Sequence, residues 1–333
     1  MPGHDTPGHD TPGLEARLRL RDVCFTGDTS HIARPWRLPP DPEARGLVIF
    51  QHVPKSGGTT VDFILAAAAA ARGRGYQRFS VGRFFAPPVW LVPGWTGSWN
   101  TVEEYAASMA THEPSVSEPA FSLCSGHFPF GIHRVLKQTA RYVTLVRDPL
   151  AREVSSYNFH YQRGFIDDTR TLDDLLCQGV LLDNPQTRML AGPEAMHGPC
   201  TEALWQQALR HLEQDFALVG VTEHAHAFIG ALLGWLDFPA VCYVHSQITT
   251  LRRLERPSPE LARRLRTVHA WDVRLHAWCQ QRWLAWENAH RTAIPTTSPV
   301  PGEEILTVPG AERAASVRYD LEGRHPIGAK IMT

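Results

Sequence analysis

The sequence contains no apolar run of about eighteen residues that could span a bilayer, and its amino terminus shows no basic segment followed by an apolar one. It lacks an excess of charge, since 33 Lys and Arg oppose 34 Asp and Glu, which gives no support to nonspecific nucleic-acid binding. Its six cysteines include no CxxC pair and no zinc-ligand spacing. These absences predict a cytoplasmic protein with reduced thiols, no metal site, no membrane span and no nucleic-acid partner.

The two ends of the chain differ in composition from its middle. Residues 1–13 repeat Thr-Pro-Gly-His-Asp and are too polar and too rich in Pro and Gly to pack, so they are predicted to be a disordered tail. Residues 292–333 are Pro-rich and weakly patterned, which predicts an irregular C-terminal tail. Residues 14–291 are therefore predicted to form a single domain, and a chain of 333 residues is long enough to bury a large core.

The stretch from Gly46 to Arg72 organises the chain. It begins with an apolar run typical of a buried strand, continues with the turn Pro-Lys-Ser-Gly-Gly-Thr-Thr, and ends in an alanine-rich segment that predicts a helix stopped by Gly73 and Gly75. A helix that starts at a Gly-rich turn presents unpaired N–H groups at the positive end of its dipole. This turn, with Lys55 at its entrance, is predicted to bind a phosphate-like anion.

A second strand-to-helix junction follows the apolar run from Arg141 to Arg147. Asp148 is a good N-cap residue and Pro149 suits the first helical position, so a helix is predicted to begin there and to continue through Arg163. Strands and helices that alternate with short connections predict a parallel sheet covered by helices. In such sheets ligands bind beyond the carboxyl ends of the strands, where both junctions are expected to lie.

Downstream of this junction the pattern is mainly helical. Thr171 and Asp174 form a capping-box pattern, 201–214 has amphipathic spacing, and 216–221 reads as another buried strand followed by a helix over 222–235. One long helix is predicted over Ser258 to about Arg291. The aromatic-rich segment between the two junctions predicts a packed loop cluster with one or two rings at an acceptor pocket, and its large residues are Phe79, Phe84, Phe85, Trp90, Trp95 and Trp99.

The first turn is not a Walker A loop, because Lys55 precedes Gly57 and Gly58 instead of following the glycines. The segment Val53-Pro54-Lys55-Ser56-Gly57-Gly58-Thr59-Thr60 resembles the 5′-phosphosulfate loop of sulfotransferases that use 3′-phosphoadenosine 5′-phosphosulfate (PAPS). The segment from Val146 to Ser155 resembles the 3′-phosphate motif of the same family. The heparan sulfate 6-O-sulfotransferases and their bacterial relatives are similar in two further segments, NPQTRML at 184–190 and LVGVTE at 218–223.

The resemblance implies a single α/β domain whose P-loop-like parallel sheet is flanked by helices, with a helix-rich C-terminal half. It implies that PAPS is the co-substrate. No metal is expected to be required, because the transferred sulfuryl group carries less charge than a phosphoryl group. The 3′-phosphate would be held by Arg147 and Ser155, and the 5′-phosphosulfate by the loop. The implied loop residues are Lys55, Ser56, Gly57, Gly58, Thr59 and Thr60.

Transfer of a sulfuryl group to an alcohol needs a base for the hydroxyl proton and a positive group for the departing phosphate. Lys55 suits the second task. His127 is predicted to be the base, because imidazole titrates near neutral pH and this residue follows a short strand between the two motifs. His52 is predicted to orient the turn, and the reserve candidates for the base are His133, His160, Glu103, Glu104 and Glu113.

The sequence predicts an enzyme that sulfates an acceptor alcohol, with a saccharide as one candidate class. Aromatic rings such as Phe159 and Tyr161 are suited to stacking on sugar faces and equally to a lipid or an aromatic metabolite. A nucleotide-dependent kinase or phosphotransferase remains an alternative, as does a noncatalytic glycan- or nucleotide-binding module on the same fold. The sequence does not indicate the oligomeric state.

Overall fold

A computed structural model describes residues 22–24, 46–71, 73–78, 122–236, 242–244, 253–289, 315–316 and 330–331. The strands in this part of the chain are β1 (Asp22–Cys24), β2 (Leu47–Gln51), β3 (Tyr76–Arg78), β4 (Leu123–Gly126), β5 (Ala140–Val146), β6 (Phe216–Val221), β7 (Cys242–Val244), β8 (Ala315–Ser316) and β9 (Lys330–Ile331). The helices are α1 (Gly58–Ala71), α2 (Ile132–Leu136), α3 (Pro149–Gln162), α4 (Leu172–Cys177), α5 (Pro185–Ala191), α6 (Glu202–Gln214), α7 (Ala225–Trp235), α8 (Pro259–Val268) and α9 (Ala270–Ala289).

The main sheet has five strands in the order β3-β4-β2-β5-β6, and every neighbouring pair is parallel. From β2 the chain builds one side of the sheet with β3 and β4, and then crosses to the other side to add β5 and β6. Strand order therefore reverses beside β2, which is the position where open parallel sheets bind their ligands. The α/β class and the parallel sheet predicted from the sequence are confirmed, as is the helix-rich C-terminal half.

The core forms around the sheet, whose central strand β2 is buried along its whole length. Helix α1 packs against β3 and β4, while α6, α7 and α9 pack against β6. A strand covered on both faces requires a continuous apolar run, which is why LVIF and FALVGV were readable as strands. A smaller apolar cluster joins α3, α4 and α8, and it consists of Tyr157, Ile166, Leu172, Leu175, Leu261 and Leu265.

Local signals placed several helix boundaries correctly. Asp148 caps α3 by accepting a hydrogen bond from the N–H of Ala151 at 2.8 Å. Thr171 and Asp174 form the capping box of α4. Beyond α1, Gly73 adopts a left-handed conformation with φ of 63°, which an L side chain enters only with strain. These features depend on contacts within a few residues, so the sequence pattern reveals them.

The prediction of one long helix over 258–291 is wrong. The chain forms α8 and α9 with a break at His269, which is buried and accepts a hydrogen bond at Nδ1 from the N–H of Asn184 at 3.2 Å. Asn184 Oδ1 accepts from the N–H groups of Trp271 and Asp272, and so caps α9 from a distant part of the chain. The helix predicted over 222–235 likewise starts as a 3-10 turn over Thr222–His224 before α7.

Several predictions lie outside the described residues. These are the tail at 1–13, the aromatic-rich segment from Phe79 to Trp99, the reserve carboxylates Glu103, Glu104 and Glu113, and most of 292–333. They stay predictions.

Candidate functional site

Four neighbouring strands deliver polar residues to one edge of the sheet. His127, His52, Arg147 and Thr222 directly follow β4, β2, β5 and β6, which are adjacent in that order. The last residues of β2 and β4 are in register with each other, as are the last residues of β5 and β6. The carboxyl edge of the sheet therefore brings together the two predicted junctions and the predicted base, although they are far apart in sequence.

The loop between β2 and α1 keeps part of its backbone available. Ser56 donates its N–H at 3.3 Å and its hydroxyl at 2.6 Å to the carbonyl of Val53, and Thr60 donates its N–H to the carbonyl of Gly57. Within the described residues, the N–H groups of Gly57, Gly58 and Thr59 donate no hydrogen bond. The predicted set of anion-binding N–H groups thus narrows to these three, at the positive end of the α1 dipole.

Lys55 is held in an unusual position for a lysine. Its backbone is left-handed with φ of 66°, and its Nζ lies 4.0 Å from the ring centroid of Phe159. Burial lowers the pKa of Lys55 to about 8, and the nearby guanidinium groups of Arg147, Arg163 and Arg152 add to the effect. No carboxylate among the described residues lies within ion-pair distance of the ammonium. A bound anion would compensate for the cost of burying the ammonium and for its repulsion by the arginines.

Ser155 lies on the face of α3 that looks towards Lys55. Arg152, Ser155, Phe159 and Arg163 recur at three- and four-residue spacing, which places them on one side of a helix. The three others either contact Lys55 or act on its charge. Ser155 is half-buried, and its side-chain hydroxyl forms no hydrogen bond with any other described residue. The predicted 3′-phosphate residue therefore occupies the cationic side of the site.

Arg152 and Arg163 belong to this cationic cluster although the sequence motifs did not single them out. Arg152 is buried and pairs with Glu153, and Arg163 lies over the Phe159 ring with 5.4 Å from its guanidinium carbon to the centroid. Both lie on the same side of α3 as Ser155, and this helical spacing was the sequence signal that could have revealed them. Lys55 and the three arginines give the site a local excess of positive charge in a protein that is close to neutral overall.

His127 is fixed in one tautomer. Its Nδ1 lies 2.6 Å from the backbone carbonyl of His52, and a carbonyl can only accept, so Nδ1 carries the proton and Nε2 has the lone pair. Burial holds the pKa of His127 well below its ordinary value, and the neighbouring His52 lowers it further. The imidazole is therefore neutral near physiological pH and is in the form that can accept a proton.

His52 forms a rigid support between the loop and His127. Its Nδ1 lies 2.9 Å from the buried carboxylate of Asp62, which also pairs with Arg78 Nε at 3.3 Å. Its ring is 4.1 Å from the His127 ring, centroid to centroid. A Cβ added at Gly58 would lie 2.3 Å from the His52 ring, so the first helical position must be glycine for the ring to fit. The His52 ring therefore packs against the start of α1, and its role in orienting the turn stays a prediction.

The reserve histidines occupy different places. His133 Nδ1 lies 2.8 Å from the hydroxyl of Tyr142, which is in the amino-terminal half of β5 and so far from the carboxyl edge. His160 lies on α3 beside the cationic cluster. Burial lowers the pKa of His160 to about 4, where Lys55 and Arg152 add to the effect and Glu153 opposes it. Of the two, only His160 is near the candidate site.

Contacts between the two junctions join them into one site. Arg147 donates from Nη1 to the backbone carbonyl of Lys55 at 2.9 Å. The hydroxyl oxygen of Thr222 lies 2.7 Å from the carbonyl of Ser56 and 3.1 Å from that of Val146, so its single proton is shared between the loop and the end of β5. Sequence reasoning missed Thr222, because only the pairing of β5 with β6 brings it here.

The backbone of the second junction is held by side chains from elsewhere. Arg147 donates its N–H to Gln186 Oε1 and accepts at its carbonyl from Gln186 Nε2, each at 2.9 Å. The N–H of Asp148 donates to Glu223 Oε1 at 3.0 Å. Gln186 and Glu223 belong to the two further segments, 184–190 and 218–223, and no sequence pattern indicates which residues they contact.

No helix among the described residues combines the length and the apolar character needed to cross a bilayer. The described residues also contain no group of three or more His, Cys, Asp or Glu side chains placed to hold a metal ion. A scan of the chain against protein-family models gave no match, and a search of curated proteins also gave none.

Proposed function

We propose that this protein is a sulfotransferase that moves the sulfuryl group of PAPS to a hydroxyl of an acceptor, with saccharides as one acceptor class. The observation that carries the proposal is the contact of 2.9 Å between Arg147 Nη1 and the Lys55 carbonyl, which joins two anion-binding junctions into one site. PAPS presents anionic groups at both the 3′ and the 5′ position of one ribose, and adjacent strand ends offer two cationic sites side by side.

The first junction suits the 5′-phosphosulfate. The N–H groups of Gly57, Gly58 and Thr59 lie at the start of α1, and Lys55 supplies the full charge. A Gly-rich loop that joins the central strand of a parallel sheet to a helix also supports a P-loop-like fold. Arg147 and Ser155 would bind the 3′-phosphate, and Arg152, whose charge also acts on Lys55, adds to the positive charge of the site.

In the proposed reaction the acceptor oxygen attacks sulfur and a new S–O bond forms. The S–O bond to the 5′-phosphate breaks, its electron pair stays on the phosphate oxygen, and 3′,5′-ADP is released. His127 Nε2 accepts the hydroxyl proton, and the Lys55 ammonium stabilises the charge that develops on the phosphate. Because His127 is neutral and Lys55 is charged below pH of about 8, both groups have the required protonation state near pH 7.

A thermal-shift comparison of 3′,5′-ADP, 5′-AMP and ATP with Mg²⁺ tests the donor. A ligand at about 100 times its Kd stabilises a protein by about 2.7 kcal/mol, so 3′,5′-ADP should raise the melting temperature clearly and 5′-AMP much less. Arg147→Ala should remove this difference. Stabilisation by ATP with Mg²⁺ alone would identify a phosphotransferase instead.

An acceptor screen with labelled PAPS tests the reaction. Transfer of label to a saccharide, a lipid or an aromatic alcohol would support the activity and identify the acceptor class. Tight binding of 3′,5′-ADP without transfer to any class would favour a noncatalytic nucleotide-binding module.

A further inference from the structure

The side chain of Gln186 bonds to the backbone of Arg147, the first residue after β5, in the way that a neighbouring strand would. The pairing of β5 with β6 ends at Val146 and Val221, so the next peptide has no strand partner. The side-chain amide of Gln186 fills this place, since it accepts from the N–H of Arg147 and donates to its carbonyl, each at 2.9 Å. An amide that bonds to both backbone groups of one residue fixes its φ and ψ and therefore the direction of its side chain.

Gln186 is itself held rigidly. Its side chain is fully buried, and its backbone N–H donates to Asp272 Oδ2 at 3.1 Å, while the N–H of Thr187 donates to Asp272 Oδ1 at 2.7 Å. Asp272 thus caps α5, and Asn184 caps α9 in return. This reciprocal capping fixes α5 against α9. The side-chain amide of Gln186 therefore loses little conformational entropy when it bonds to Arg147.

Asp148, the residue after Arg147, is also linked to α9, through Glu223. Glu223 accepts at Oε1 from the N–H of Asp148 and lies 3.1 Å at Oε2 from His276 Nε2. Burial would raise the pKa of Glu223, but the hydrogen bonds from His276 and from Asp148 outweigh it and lower the pKa to about 2. Asp272 and His276 are one turn apart on α9, so this helix backs both Arg147 and Asp148.

We propose that Gln186 is a positioning residue for Arg147, aiming the guanidinium at the 3′-phosphate of the nucleotide. This inference rests on the proposed function, because it assigns Arg147 to the 3′-phosphate. Gln186 touches no reacting atom and acts through the backbone of Arg147, with Asp272 of α9 holding it in place.

The test compares Gln186→Met with the wild type by calorimetric titration of 3′,5′-ADP and 5′-AMP. Met keeps the length of the side chain and loses both hydrogen bonds. We expect the Kd for 3′,5′-ADP to rise about tenfold, since one charge-assisted contact is misaligned, while the Kd for 5′-AMP changes less than about twofold. With PAPS as donor, KM should rise and kcat should stay near that of the wild type. A fall in affinity that is equal for both nucleotides, or no change, would overturn the proposal.

A double-mutant cycle with Arg147→Ala separates positioning from general damage. If Gln186 acts through Arg147, then Gln186→Met should not alter the ratio of the two Kd values further in the Arg147→Ala background. Gln207→Met is the matched control, because Gln207 Nε2 also donates to a backbone carbonyl, that of Ala191 at 2.8 Å. It should leave the ratio unchanged.

If Gln186→Met does not fold, Asp272→Asn replaces it. This change keeps glutamine at position 186 but removes one of the two carboxylate acceptors that hold α5, so the Gln186 side chain is held less firmly. The same selective loss of 3′,5′-ADP binding is expected, and an equal loss for both nucleotides would again overturn the inference. Failure of the proposed function would look different: the wild type itself would then show no preference for 3′,5′-ADP over 5′-AMP.

Discussion

The two strand-to-helix junctions are constructed in different ways. The junction after β2 is built almost wholly from one continuous segment, whose turn presents Lys55 and three N–H groups. The junction after β5 obtains its local cap from Asp148, but its backbone is held by Gln186 and Glu223 from distant segments. A site made of one segment leaves a recognisable motif, whereas a site assembled from several segments leaves one only in part.

The junctions also differ in their electrostatics. Lys55 is desolvated among arginines, which lowers its pKa to about 8. At the second junction carboxylates are close at hand, since Glu153 pairs with Arg152 and Glu223 accepts from the N–H of Asp148. The first junction therefore holds its charge at a cost in folding stability that an anion would remove, whereas at the second junction Glu153 already offsets the charge of Arg152.

The largest effect is expected for His127→Ala, which removes the proposed base beside the first junction and leaves both cationic sites in place. The rate of sulfate transfer should fall about 10²- to 10⁴-fold, with little change in the Kd for 3′,5′-ADP. His211→Ala is the matched control, because His211 Nδ1 also lies 2.8 Å from a backbone carbonyl, that of Leu190. If the His127 variant transfers sulfate at the wild-type rate and His160→Ala does not, then the base is His160 on α3.

Lys55→Met tests the electrostatic contrast. The change in pKa from 10.5 to about 8 corresponds to about 3 kcal/mol, and the lost contact with the Phe159 ring offsets about 1 kcal/mol of it. The variant should thus be more stable than the wild type by about 2 kcal/mol at pH 7, measured by chemical denaturation, and should bind 3′,5′-ADP about 10- to 100-fold more weakly.

The pH dependence of this difference has a definite sign. A lysine whose folded pKa is depressed destabilises the folded state fully below that pKa, and the penalty disappears as pH rises from about 8 to 10.5. The stability advantage of Lys55→Met should shrink over that range. An advantage that is constant from pH 7 to 10.5 would mean that the ammonium is not the cause.

Gly58→Ala tests how tightly the first junction is packed. The added Cβ would lie 2.3 Å from the ring of His52, which its contact with Asp62 holds in place, so a loss of about 1–3 kcal/mol in the free energy of unfolding is expected. Transfer should also slow, because the His52 carbonyl orients His127. Gly73→Ala is the control: its left-handed backbone adds strain without a clash, so it should leave transfer unaffected.

Thr222→Val gives the smallest expected effect and tests the link between the junctions. Val keeps the shape and removes the hydroxyl that reaches the carbonyls of Ser56 and Val146, so a loss of about 1 kcal/mol in stability is expected. Thr267→Val is the control, since that hydroxyl bonds within an exposed turn of α8. Equal melting temperatures for the two variants would show that Thr222 does not hold the junctions together.

Within the described residues, the turns and helix caps that were predicted correctly depend on residues that are close together in sequence. The turn after β2, the Asp148 cap and the capping box of Thr171 each depend on residues within about four positions of one another. The break at His269 was missed because Asn184, which caps the new helix, is 87 residues before Trp271. Apolar periodicity continues across such a break, so the pattern alone favours one helix.

The sequence by itself determined the two junctions, the places of Lys55 and Arg147 in them, and the alternation of strands and helices that makes a parallel sheet. It did so because turn chemistry, caps and apolar runs act between near neighbours. Only the tertiary structure decided which strand ends lie side by side, that Thr222 contacts both junctions, and that Gln186 holds Arg147. Those contacts depend on strand order and helix packing, which set partners dozens of residues apart and leave no local pattern.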